Sequence, residues 1–211
     1  MKDFSELPAS KMSIGKRSLV WGVGINDALY AVYNKVNGVR THCPYYYTWK
    51  AMLQRCYSKA CHKTQPTYIG CSVHPDWHLF STFKTWMQQQ DWKGNQLDKD
   101  ILCFGNKEYS AATCCFVSKS INSLFTHTLK TKGNFIKGVS WNKRDKVFQA
   151  IAKIGGKSIN LGSFSTELLA SNAYITYKIE YMRKVATSFT GATKIKLALF
   201  SMITNLEKSY A

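Results

Sequence analysis

The sequence predicts an α+β chain in two parts: an N-terminal helical and ββα part, then a three-stranded antiparallel sheet backed by a helix. Three observations predict it. Apolar residues recur at helical spacing in 45–58 and again in 75–90. Short alternating runs bounded by Gly, Asn and Lys turns follow at 96–117 and 136–164. A polar, Lys-rich, Gly-containing stretch at 126–134 reads as a linker between halves of different composition.

Taken in order, residues 1–40 carry Gly and Asn punctuation (Gly22, Gly24, Asn26, Asn37, Gly38) that suggests an arm or short hairpins rather than a helix. Residues 41–127 form the next module. Its first helix, YYYTWKAMLQRCYS, places Trp49, Met52, Leu53, Cys56 and Tyr57 on one side and Lys50, Gln54 and Arg55 on the other. TYIGCSV reads as a strand. PDWHLFSTFKTWMQQQ reads as a second helix with Trp77, Phe80, Phe83, Trp86 and Met87 facing a core. A strand at 96–103, a GNKEYS turn, a strand CCFVS and a helix SKSINSLF with Ser118 as N-cap complete it.

Residues 134–190 give three short strands, IKGVSW, VFQAIAK and SINLGSF, separated by NKRDK and IGGK turns. A long helix follows, opened by Ser165, whose Leu168, Leu169, Ala173, Ile175, Tyr177 and Ile179 are expected to cover one sheet face. Residues 191–211 have the periodicity of a C-terminal helix.

Composition bounds the function. Apolar residues make up 45% of the 211, enough for packed cores. Against 12 Asp+Glu stand 29 Lys+Arg, a formal charge of +17, which favours a polyanionic partner through phosphate neutralisation. Nucleic acid is the expected partner, with an anionic membrane surface as the alternative and plain solubility as the bland reading. No apolar run approaches the ~18 residues that span a bilayer, and MKDFSELPAS lacks the basic start and apolar core of a signal peptide, so an intracellular protein is expected. The seven cysteines are an odd number and point to reduced thiols. Cys56, Cys61, His62, Cys71, His74 and His78 lie close in sequence, but without a C-x2-C pair the core-cysteine reading outweighs zinc.

Strand alternation sorts the last sheet. Val139, Trp141, Phe148, Ala150, Ala152, Ile159 and Leu161 fall on the helix-facing side; Ser140, Asn142, Gln149, Ile151, Lys153, Ser158 and Asn160 fall on the other. Lys137, Lys143, Arg144, Lys146 and Lys157 surround that polar face. A twisted three-stranded sheet of this kind can enter a major groove, its Asn, Gln and Lys reading base edges while flanking cations hold phosphates. Gly138-Val-Ser-Trp, Lys146-Val-Phe-Gln-Ala-Ile-Ala, Gly156-Lys, Leu161-Gly-Ser-Phe and Ala173-Tyr together resemble the APETALA-two (ethylene-response-factor) DNA-binding domain. The resemblance implies that the sheet lies in the major groove of double-stranded DNA, with Ser140, Asn142, Ile151, Lys153, Ser158 and Asn160 at contacting positions.

NQLDKDILCFGNKEYS sets Asp98 and Asp100 on one face of a strand, ahead of Asn122 on the following helix. A ββα-metal nuclease needs a strand carboxylate and a helix Asn or His on one cation, with a base to deprotonate water. Oxygen ligands suit Mg2+ or Mn2+ rather than zinc. With Tyr46, Trp49, Met52, Arg55, Cys56 and Tyr57 upstream, this segment resembles the HNH-type module of bacteriophage homing endonucleases, and the order of parts resembles those free-standing enzymes. The resemblance implies Asp98 and Asn122 as metal ligands, Asn106 in the intervening loop, and a phage protein acting in the cytoplasm of a bacterial host; Asp100, on the same strand face, is the alternative or additional ligand to Asp98. The pattern departs at one place. Where the general-base His belongs stands Lys99, a residue type that is a poor base at neutral pH but can clamp a phosphate. A distant His (His74, His78 or His127) is the other candidate base. Two functions follow: a metal-dependent DNA endonuclease or nickase, or an inactive relative that binds duplex DNA as a repressor or counter-defence factor. A single-stranded or RNA partner is a third and weaker reading.

Overall fold

The computed structural model describes residues 4–36, 38–126 and 135–210, so most of the expected linker, with His127, lies outside the described residues. The chain is mixed α+β and divides into two compact units, residues 1–117 and 118–211.

The first unit runs through α1 (Lys11–Gly15), β1 (Tyr33–Val36), β2 (Val39–His42), α2 (Pro44–Tyr57), α3 (Lys59–Thr64), β3 (Ser72–Val73), α4 (Phe80–Gln88), β4 (Gln96–Asp98), β5 (Glu108–Tyr109) and β6 (Cys115–Val117). Pro44 starts α2, where its missing N–H costs nothing. The predicted face of α2 is the buried one: Trp49, Met52, Leu53 and Cys56 pack with Trp77, Phe80, Phe83 and Met87 in one core. Trp49 Nε1 donates to Trp77 O at 2.7 Å, so its one polar atom is satisfied inside that core. Ala28 and Tyr30 belong to the same core. The first forty residues are therefore a packed part of the unit, and their hairpin β1–β2 runs past residue 40.

Local details correct the expected elements. Ser10 caps a short helix, α1, in a stretch read as helix-free. The run 75–90 breaks at extended Leu79 into a 3-10 turn (Pro75–His78) and α4. TYIGCSV contracts to β3, preceded by a 3-10 turn at Pro66–Tyr68. The strand expected over 96–103 stops at Asp98, so Asp100 does not share a strand face with it. β4 pairs antiparallel with β6, Asp98 opposite Cys115, and β5 pairs parallel with β3.

The second unit contains α5 (Lys119–Phe125), β7 (Val139–Asn142), β8 (Val147–Ile154), β9 (Lys157–Phe164), α6 (Glu167–Ser188) and α7 (Thr193–Lys208). Ser118 caps α5 as expected, its Oγ accepting from Ile121 N at 3.3 Å. β7, β8 and β9 form an antiparallel meander with a bulge between Ala150 and Ile151. Ala150, Ala152, Val139, Phe148, Ile159 and Leu161 pack on Ala170, Tyr174 and Ile175 of α6, so the inward face matches the alternation. Trp141 meets Phe148 edge to face with ring centroids 4.7 Å apart but stays 38% exposed, open to solvent at the sheet margin.

Two readings of α6 are corrected. Its N-cap is Thr166, one residue after Ser165, with Oγ1 accepting from Leu169 N. Leu168 and Leu169 are exposed; the buried side is Ala170, Tyr174, Lys178, Met182 and Ala186, spaced by four. α7 lies along α6 and buries Ile195, Leu199, Met202, Ile203 and Leu206.

Candidate functional site

The face of the β7–β9 sheet turned away from α6 is built by register. Ser140 lies opposite Gln149, Ile151 opposite Asn160 and Lys153 opposite Ser158, so these six side chains share one side. Ser140, Lys153, Ser158 and Asn160 are exposed, and Gln149 and Ile151 partly so. Lys143, Arg144, Lys146 and Lys157 stand exposed on the two turns, and Lys137 is half-buried ahead of β7. The result is a polar, cationic surface with an apolar spot at Ile151. Three of the expected contact residues also have local work. Asn142 Oδ1 accepts from Arg144 N (3.0 Å) and Asp145 N (3.2 Å), and its Nδ2 donates to Asp145, so this side chain builds the β7–β8 turn. Arg144 Nε donates to Asp145 at 2.7 Å, which makes it a paired cation in solvent. Asn160 Oδ1 accepts from Gly162 N at 3.0 Å across the bulge.

The segment around β4 is a polar loop anchored on buried groups. Asp98 Oδ1 accepts from Asp100 N (2.8 Å) and Ile101 N (2.7 Å), which ends the strand and turns the chain so that Ile101 enters the interior. Both of these N–H groups are held by the one oxygen, Oδ1, so Oδ2 is not used by the turn. Burial lifts the Asp98 carboxyl above its usual range, against the pull of those two N–H groups. Lys99 is 5% exposed, and its Nζ donates to Asp100 Oδ1 and to Asn106 O, both at 2.6 Å. Asn106 Nδ2 donates to the carbonyls of Lys99 and Glu108, and its Oδ1 accepts from Glu108 N. Lys99 and Asn106 thus staple the two ends of the 99–108 loop to each other.

Asp98, Lys99, Asp100 and Asn106 come together in the first unit, whereas Asn122 belongs to α5 of the second. His78 Nε2 bonds Val73 O, and His74 Nδ1 accepts from Asp76 N at the start of the 3-10 turn. Neither hydrogen-bonds Asp98, Lys99 or Asp100. Among the described residues no group of three or more His, Cys, Asp or Glu is arranged to hold a metal ion. Cys56, Cys71 and Cys114 are buried free thiols, and desolvation pushes Cys56 and Cys114 up to about 12. Among the described residues no helix is long and apolar enough to cross a membrane.

One feature escaped the sequence. Lys178 sits in the buried row of α6 and lines a cavity of about 1080 Å³ inside the second unit. Its only advance signal is a lysine at a position spaced by four from Ala170, Tyr174 and Met182. Comparison with protein-family models, with curated proteins and with solved structures finds no match to the chain.

Proposed function

We propose that the chain is a sequence-specific duplex-DNA-binding protein of the phage HNH homing-endonuclease type, working in the cytoplasm of a bacterial host and reading DNA with the outer face of β7–β9. The observation that carries this reading is the single polar face on which Ser140, Gln149, Lys153, Ser158 and Asn160 converge, framed by lysines and backed by a packed helix. Backing matters, because base readout needs donors held on a rigid element. Lys143 and Lys157, at the turns, suit phosphate contacts, and Lys153 and Gln149, mid-sheet, suit base edges.

Selection from random duplexes followed by gel shift tests it. Lys153→Ala is expected to weaken the selected site about ten-fold and relax preference at one position, while Lys143→Ala and Lys157→Ala each lower the salt slope by about one. No preference among duplexes, or full binding by Lys153→Ala, sinks the reading.

Metal-dependent nicking is the second reading, favoured by one observation: at the end of β4 Asp98 holds both turn N–H groups with Oδ1, so the turn does not use Oδ2. Asp98 would then ligate Mg2+ or Mn2+, a hard-oxygen cation that activates water and offsets phosphate charge. Asp100 is a weaker donor here because Lys99 holds its Oδ1. With Lys99 and Asn106 engaged in the loop, the binding function has the better support of the two. Supercoiled DNA incubated with each cation, with Asp98→Ala as control, separates them; a repressor or counter-defence binder gives no Asp98-dependent product.

A further inference from the structure

The cavity beside Lys178 lies at the sheet margin where β7 begins. Ile151 N donates to Gly138 O at 2.7 Å, and beyond that point Ala152–Ile154 of β8 pair with β9 alone. One wall is the face of α6 that carries Tyr174, Tyr177, Lys178 and Tyr181, spaced i, i+3, i+4 and i+7. Among the described residues the lining includes Lys119, Lys137, Lys153 and Lys178 and no Asp or Glu.

Lys178 is only 8% exposed and makes no hydrogen bond or ion pair among the described residues. Desolvation, with Lys137 nearby, pulls its amine down to about 8. Burying an unpaired amine is costly, and an apolar residue there would pack without that cost. An anion entering the cavity supplies what Lys178 lacks. Three tyrosines on the same wall add faces for an aromatic ring, and the volume matches a small-molecule site.

We propose that this cavity binds a nucleoside phosphate, its phosphoryl group on Lys178 and Lys137 and its base against the tyrosines of α6. The source is either a free mononucleotide or one nucleotide of a single strand. The cavity shares Ser140, Ile151 and Lys153 with the duplex-reading face, but Lys178 lies on α6 outside that face, so Lys178→Met separates failure of this site from failure of duplex reading.

The test is calorimetric titration of the full chain with dAMP, deoxyadenosine, inorganic phosphate and a five-nucleotide single strand. Expected is dAMP binding about ten-fold or more tighter than deoxyadenosine or phosphate, lost about ten-fold in both Lys178→Met and Lys137→Met and unchanged in Lys184→Met on the exposed side of α6. Should Lys178→Met fail to fold, Lys137→Met carries the comparison. Single strand binding far tighter than dAMP, with the same losses, names the strand as the source; equal affinities name the mononucleotide. Phosphate binding as tightly as dAMP overturns the nucleotide assignment, and no binding by any probe, or binding indifferent to both variants, overturns the site. Duplex gel shifts with Lys178→Met are expected to match the parent chain.

Discussion

Gly138 lies face to face with the ring of Tyr174: a Cβ built on Gly138 would fall 2.2 Å from Tyr174 Cδ2, and the backbone there has φ +88°. Two parts of the Gly-Val and Ala-Tyr pattern, far apart in sequence, are thus one contact that seats α6 on the sheet. Both the positive φ and the close approach require glycine.

Gly138→Ala is therefore expected to destabilise the second unit by about 2–4 kcal/mol, combining left-handed strain with overpacking. Urea unfolding followed by hydrogen exchange on β7 and α6 measures it. Tyr174→Ala in the same chain should return the steric part but leave the φ part. A fully additive double mutant would show that the ring does not set the requirement.

Lys99 is expected to behave as a structural residue. Lys99→Ala leaves Asp100 and the Asn106 carbonyl without their donor and should cost about 2–4 kcal/mol, with faster amide exchange across 99–108. Lys99→His is expected to loosen the same loop, because an imidazole cannot repeat both bonds of the long lysine chain. A Lys99→Ala protein of unchanged stability would return this side chain to the list of free phosphate clamps.

Strand periodicity is the part of the fold that the sequence revealed best. Directly opposed pairs such as Ser140 and Gln149 fall on one side whatever the turn does, so the inner and outer faces of β7–β9 follow from alternation alone. Helical phase was harder to read. Leu168 and Leu169 looked inward by hydrophobicity, yet the packed row is set by Ala170 and Tyr174, because a small residue and Gly138 allow the close approach. Around Asp98 the apolar letters of ILCF suggested strand, and two backbone N–H groups bound by one carboxylate overruled them. The roles of Lys99 and Asn106 depend on loop closure, which no spacing rule reports.

The thiols should separate by burial. Cys103 is exposed and is expected to react with a disulfide reagent at pH 8 within the first phase, whereas Cys56 and Cys114, held protonated by burial, should react only as the first unit unfolds. Cys103→Ser removing the fast phase would confirm the order; a fast Cys114 signal in native protein would contradict its buried environment.

Lys178 gives the second unit a pH dependence of opposite sign to that of the thiols. The folded chain holds this amine near 8, below the ordinary 10.5, so between those values the unfolded chain binds the extra proton. Stability from this group therefore rises as pH climbs from about 8 towards 10.5 and is lost as pH falls through 8. The buried thiols act the other way, because the folded chain keeps their protons and loses stability above pH 9. Comparing the parent chain with Lys178→Met cancels the thiol contribution. The variant is expected to be the more stable by roughly 1–3 kcal/mol at pH 7, with the gap closing by pH 10.5. A gap that is constant with pH, measured by urea unfolding at five pH values, would mean that Lys178 is solvated in the folded chain.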